Sequence, residues 1–133
     1  MRSVVLAIAG LAALTAGDAV QARAKLTPEQ QLAKLLEGRE AGKPTTCLPH
    51  WQANDMRVID GLAIVYGTGN TIWVNRPDNA RDLDSDDILV TQSFDGRLCK
   101  VDIVHTVDRT GQFATGFISL GDFVPYRRVA KAG

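Results

Sequence analysis

Between Met56 and Asn75 short apolar runs alternate with turn residues. Asp60-Gly61 interrupts one run of Val, Ile and Leu, and Thr68-Gly69-Asn70 interrupts the next. Turn residues between β-branched and aromatic runs are a strong short-range hairpin signal, so the stretch predicts three strands joined by two tight turns. In the middle strand Leu62, Ile64 and Tyr66 share one face, and Ala63 and Val65 share the other. Both faces are apolar, which predicts a central strand covered on each side. In the next strand Ile72 and Val74 face away from Trp73.

Upstream, the pattern changes to helical spacing. Thr27 suits an N-cap, Pro28 the first helical position and Gln30 the reciprocal capping-box position. Leu32, Leu35 and Leu36 form one apolar stripe, and the helix is expected to stop near Gly38 or Gly42, with Pro44 beyond. Cys47 to Trp51 enters the β region, and Gln52 to Asp55 predicts a loop or one helical turn. Downstream, Arg76 to Asp87 is a polar loop and Ile88 to Gln92 a strand. Asp95-Gly96 is a further tight-turn signal.

Leu98 to Val107 alternates over its whole length and predicts one strand. Val101, Ile103, His105 and Val107 share a face, and Lys100, Asp102, Val104 and Thr106 share the other. Asp108 to Gly111 turns the chain into a last clear strand, Phe113 to Leu120, with Phe113, Thr115 and Phe117 on one face. Phe123 to Tyr126 reads as a short edge segment. Arg127, Arg128 and Lys131 read as a frayed basic tail.

The sum is a mainly β, α+β fold: a small antiparallel sheet or partly closed barrel of about six strands with one N-terminal helix. The expected organisation is a signal peptide over 1–22, with cleavage possible after 24, a helix and linker over 23–44, a β domain over 45–128 and a tail over 129–133.

The first residues bear on location. Met1-Arg2 supplies a positive start, Val4 to Ala16 an apolar stretch, and Val20 to Ala24 small residues at cleavage positions. This is the three-part pattern of a secretory signal peptide. The apolar run is shorter than the roughly 18–20 residues a membrane span needs. The expected location is therefore periplasmic or secreted, with no span left after cleavage.

Composition narrows the partners. The 133 residues hold 15 Lys+Arg and 15 Asp+Glu, a formal charge of zero. That balance speaks against nucleic acid, which needs a clustered basic footprint. The expected partner is a protein or small ligand of the cell envelope. The two cysteines, Cys47 and Cys99, would in an oxidising compartment form a disulfide closing a loop of about 50 residues. Two buried free thiols, or a metal-binding or catalytic thiol, are the rival readings, and no near-spaced His completes a zinc site.

Certain short motifs follow one another along the chain. Cys47 precedes Arg57-Val58-Ile59-Asp60. Trp73-Val74-Asn75 follows, then Leu98-Cys99-Lys100-Val101-Asp102, and finally Leu120-Gly121-Asp122-Phe123-Val124-Pro125-Tyr126. In this the chain resembles a family of small exported proteobacterial proteins of unknown function, over roughly Cys47 to Arg128. Many members look as if they carry two further cysteines, one before Leu83 and one near Ser119, which this sequence lacks. If those two pair with each other, Cys47 and Cys99 are a self-contained pair. The resemblance implies export and a β-rich fold, and no activity.

Candidate chemistry is sparse. Asp82, Asp84, Asp86 and Asp87 alternate as in calcium loops, but the sixth position is Asp87 rather than Gly and the twelfth is Ser93 rather than Glu. A solvated loop is expected, with no metal and no cofactor. His50 and His105 are the only histidines, and Asp102 lies on the face opposite His105. Arg57, Asp60 and Asp102 are expected to form a cross-strand ion pair rather than a site. Trp51, Tyr66 and Trp73 are the candidates for a ligand surface. These features favour a non-enzymatic binding or envelope structural domain. The alternative is a small periplasmic enzyme with a charged site around Arg57, Asp102 or a His.

Overall fold

The structure is a computed structural model that describes residues 25–93 and 95–130. The stretch expected to be a signal peptide and the last tail residues lie outside the described residues. Among the described residues one helix, α1 (Pro28–Leu36), precedes ten short strands. They are β1 (Arg39–Ala41), β2 (Cys47–Pro49), β3 (Met56–Ile59), β4 (Ala63–Tyr66), β5 (Thr71–Asn75), β6 (Asp87–Thr91), β7 (Arg97–Cys99), β8 (Ile103–Asp108), β9 (Ala114–Ser119) and β10 (Phe123–Arg128). Single helical turns occupy His50–Gln52 and Ala80–Asp82. The fold is mainly β, as expected, but among the described residues its strands form three antiparallel sheets and no closed barrel. The orders are β1-β10-β5-β4-β3, β2-β7 and β6-β8-β9.

The capping box forms as predicted. Gln30 N–H donates to Thr27 Oγ1, and Thr27 N–H donates to Gln30 Oε1. The helix then lays Leu32, Leu35 and Leu36 on one face of the large sheet, against Ile59, Ala63, Val65, Ile72 and Val74. The other face of that sheet carries Ile64, Tyr66 and Phe123. It packs on Leu48 and Leu98 of the small sheet and Val104 and Ile118 of the third. The predicted meander β3-β4-β5 is therefore the middle layer, and all four residues of β4 are buried. Its first turn needs Gly61 at φ 66°.

Four expectations change. First, Leu98 to Val107 is not one strand. It breaks at Lys100–Asp102, where Asp102 Oδ2 accepts from Cys99 N–H at 2.7 Å and Asp102 N–H donates to the Cys99 carbonyl at 2.9 Å. That turn sends β7 to the small sheet and β8 to the third. The Asp95-Gly96 turn consequently joins strands of different sheets instead of closing a hairpin.

Second, β10 is not an edge segment, and Arg127 and Arg128 are strand residues rather than tail. Short β1, which the sequence did not signal, covers its outer side through the pairs Arg39↔Arg128, Glu40↔Arg127 and Ala41↔Tyr126. Pro125 fits this interior position because β1 ends before it. A strand residue projects its N–H and C=O to the same side. The Pro125 carbonyl accepts from Gly42 N–H at 2.7 Å on the β1 side, so its missing N–H faces the place where the chain leaves the sheet.

Third, β8 turns Val104 and Thr106 into the core and leaves Ile103 and His105 in solvent, so the more apolar face of the alternation is the outer one. Fourth, a register shift at Thr106/Val107 breaks the alternation of β9. Thr115 Oγ1 reaches the buried Thr106 Oγ1 at 2.8 Å, while Phe117 pairs with His105 on the open face.

Candidate functional site

The short motifs meet one another in space. Cys47 and Cys99 are direct partners in the β2–β7 register and are disulfide-bonded. Asn75 is fully buried; its Nδ2 donates to the Gly121 carbonyl at 2.8 Å and its Oδ1 accepts from Gly121 N–H at 2.9 Å. Gly121 has no room for a side chain, since a Cβ there would lie 2.4 Å from the Arg76 carbonyl oxygen. Asp60 Oδ1 accepts from Ser85 N–H at 2.6 Å, and Gly61 N–H donates to the Leu83 carbonyl, which ties the acidic loop to the β3–β4 turn. Lys100 pairs with Asp122 at 3.3 Å on the surface. Each motif residue named here has a structural partner in another motif or in the acidic loop.

Of the ligand-surface candidates, Tyr66 and Trp73 are direct cross-strand partners, and the three differ widely in exposure. Tyr66 is 2% exposed and packs edge-on against Phe123, with ring centroids 5.7 Å apart. Burial raises its phenol pKa above the ordinary tyrosine range. Trp73 is half-buried against the same core. Trp51 is 72% exposed in the helical turn after β2.

Arg57, Asp60 and Asp102 form no ion pair among the described residues. Arg57 lines a cleft beside α1, Asp102 one beside the disulfide, and His50 a third beneath Met56 and Leu89. His105 stands on the open face of the third sheet, away from all three. Arg57, Asp102, His50 and His105, the charged-site candidates, therefore share no one cleft among the described residues. Among the described residues no three His, Cys, Asp or Glu side chains are grouped to hold a metal ion.

Two features stand out that local sequence patterns do not mark. The first is the outer face of β6-β8-β9, where Val90, His105 and Phe117 lie in register across the three strands. Ile88, Val107 and Ala114 form the neighbouring row, and Ile103 flanks them. Ile88, Val90, Ile103 and Phe117 are 39, 41, 56 and 58% exposed. Alternation reveals a two-faced strand without saying which face is buried.

The edges of that sheet differ. Beside β9, Asn79 Nδ2 donates to the Phe117 carbonyl and its Oδ1 accepts from Ser119 N–H, both at 2.8 Å, so a side-chain amide stands in for a neighbouring strand. The outer side of β6 pairs with no strand among the described residues.

The second feature is the cleft beside α1, about 360 Å³, which holds Arg39, Arg57 and Arg128. These residues lie far apart in sequence, so no local motif announces them.

Comparison of the chain with protein-family models, with curated proteins and with solved structures finds no match.

Proposed function

We propose that the mature chain is a small exported binding domain of the cell envelope, without enzymatic chemistry, that docks an apolar segment of a partner protein. The supporting observation is the open face of β6-β8-β9. Four large apolar side chains there are more than one-third exposed, and the face carries no Asp, Glu, Lys or Arg in its three central cross-strand rows. The largest exposed apolar patch of a protein is often an interaction site. Because β9 is sealed by Asn79 and β6 is open, an extended segment has one edge on which to add, with Ile88 and Val90 beside it.

Export is supported by the Cys47–Cys99 disulfide, which persists in oxidising compartments, and by the leader pattern of the sequence. No helix among the described residues is long and apolar enough to cross a membrane. The same motifs that suggest the exported family serve to assemble the scaffold, which suits a domain whose function lies on its surface.

The test places a photo-crosslinking residue at position 90 or 117, with position 51 as the control, in the cells that export the protein. The expected result is one adduct of defined partner mass at 90 and 117 and none at 51. Equal adducts at 51, or none at 90 and 117, would overturn the proposal. An adduct of twice the chain's own mass would assign the face to self-association instead.

A further inference from the structure

The large sheet has one face that α1 covers only in part. A nine-residue helix is about 13 Å long. Beyond its C-terminal end the face opens into the cleft of about 360 Å³, floored by Leu35, Val65 and Ile72 and rimmed by Arg39, Arg57 and Arg128. Arg39 and Arg128 are direct cross-strand partners, an arrangement of like charges that is ordinarily unfavourable.

Arg39 is pinned there. Its Nε donates to the Leu35 carbonyl at 3.1 Å, Nη1 to Asn70 O at 3.0 Å and Nη2 to Gly69 O at 2.8 Å. Loss of hydration and the nearby Arg128 charge lower the Arg39 pKa. Among the described residues Asp55 is the one carboxylate lining the cleft, and it makes no ion pair with any of the three arginines. Three basic side chains outside the cleft do have carboxylate partners: Arg97 with Asp95 at 2.8 Å, Lys100 with Asp122 at 3.3 Å and Arg81 with Asp82 at 3.9 Å.

Three guanidinium groups around one carboxylate leave this cleft with an excess of positive charge above an apolar floor. Arg57 and Arg128 are exposed and, unlike Arg39, donate no side-chain hydrogen bond to a described residue. Their planar donor forks match carboxylate and phosphate oxygens. The cleft is of the size that holds small ligands. We propose that it binds a small amphipathic anion, with a carboxylate or phosphate head held by Arg57 and Arg128 and a short apolar body over Val65 and Ile72.

This site is on a different sheet from the open apolar face, so it stands or falls independently of partner docking. The experiment titrates the full mature, oxidised protein with hexanoate, hexyl phosphate and hexanol at constant ionic strength, and follows backbone and methyl resonances. Either charged probe should shift Val65, Ile72 and the Gly67–Gly69 amides saturably, and hexanol should do so at least about tenfold more weakly. The tighter of the two charged probes identifies the head group. Arg57→Gln and Arg128→Gln should each weaken the charged probes about ten- to a hundredfold while leaving the remaining spectrum in place. Equal binding of hexanol, no saturable shift with either anion, or unchanged affinity in both variants would overturn the proposal.

Discussion

The side chain of Asn75 forms with Gly121 the two hydrogen bonds that a neighbouring strand residue would make, one donated and one accepted, in a fully buried position. It thereby joins the end of β5 to the turn that enters β10. Removing the amide leaves a buried N–H and a buried C=O without partners, at about 1–3 kcal/mol each. Asn75→Ala should therefore cost about 2–6 kcal/mol in urea unfolding, and Asn75→Asp should be no remedy because it loses the donor and adds a charge. Gly121→Ala should also destabilise strongly, since its methyl would meet the Arg76 carbonyl. Unchanged unfolding midpoints in Asn75→Ala and Gly121→Ala would refute this account of the junction.

The disulfide spans a sequence separation of 52. The chain-entropy model gives a cross-link of this length about 4 kcal/mol. Cys47→Ala with Cys99→Ala should lower unfolding stability by about that amount, and reductant should lower the wild type similarly without affecting the variant. Intact mass with thiol labelling should show no accessible thiol before reduction and two after. Because Asp102 bonds the Cys99 N–H, Asp102→Ala should add a further loss of about 1–3 kcal/mol even with the disulfide intact.

The two faces of the third sheet should respond oppositely to truncation. Ile118 is fully buried, and Ile118→Ala should cost about 2–5 kcal/mol. Phe117, its neighbour on β9, is 58% exposed, and Phe117→Ser should change stability far less, by about 1 kcal/mol or under. The latter variant should instead abolish crosslinking at the open face. If Phe117→Ser unfolds the protein as readily as Ile118→Ala, the outward assignment of that face is wrong.

Tyr66 makes stability depend on alkaline pH. Burial raises its folded pKa above the ordinary value of about 10, so the native state keeps a proton that the unfolded chain releases. The contribution of the neutral phenol is complete below about pH 10 and falls as pH rises beyond it. Urea midpoints measured from about pH 8 to about pH 11 should drop more steeply for wild type than for Tyr66→Phe, which keeps the packing against Phe123. Parallel curves would show that Tyr66 ionises normally.

Local chemistry made much of the scaffold legible. The capping box at Thr27, the turn at Asp60-Gly61 and the two-sided apolar run of β4 act through residues within a few positions of one another. Their energetics are set by adjacent dihedrals and side-chain periodicity, and they read directly from the chain. The Cys47–Cys99 pair was legible for a different reason: with two cysteines only one intramolecular bridge exists.

Tertiary structure alone decided the rest. Alternation in Leu98–Val107 looks continuous until Asp102 folds back on Cys99 and divides the strand between two sheets. β1 is three residues long, and Arg39–Ala41 becomes a strand because β10 offers it a ladder. Which side of β8 is core depended on where the large sheet lay, since Val104 and Thr106 packed inward despite the more apolar opposite side. The arginine cleft gathers positions 39, 57 and 128 from three strands of one sheet. Periodicity assigns side chains to the two sides of a strand, but burial is a property of neighbours. Those neighbours are set by sheet pairing across the whole chain, which no window of sequence contains.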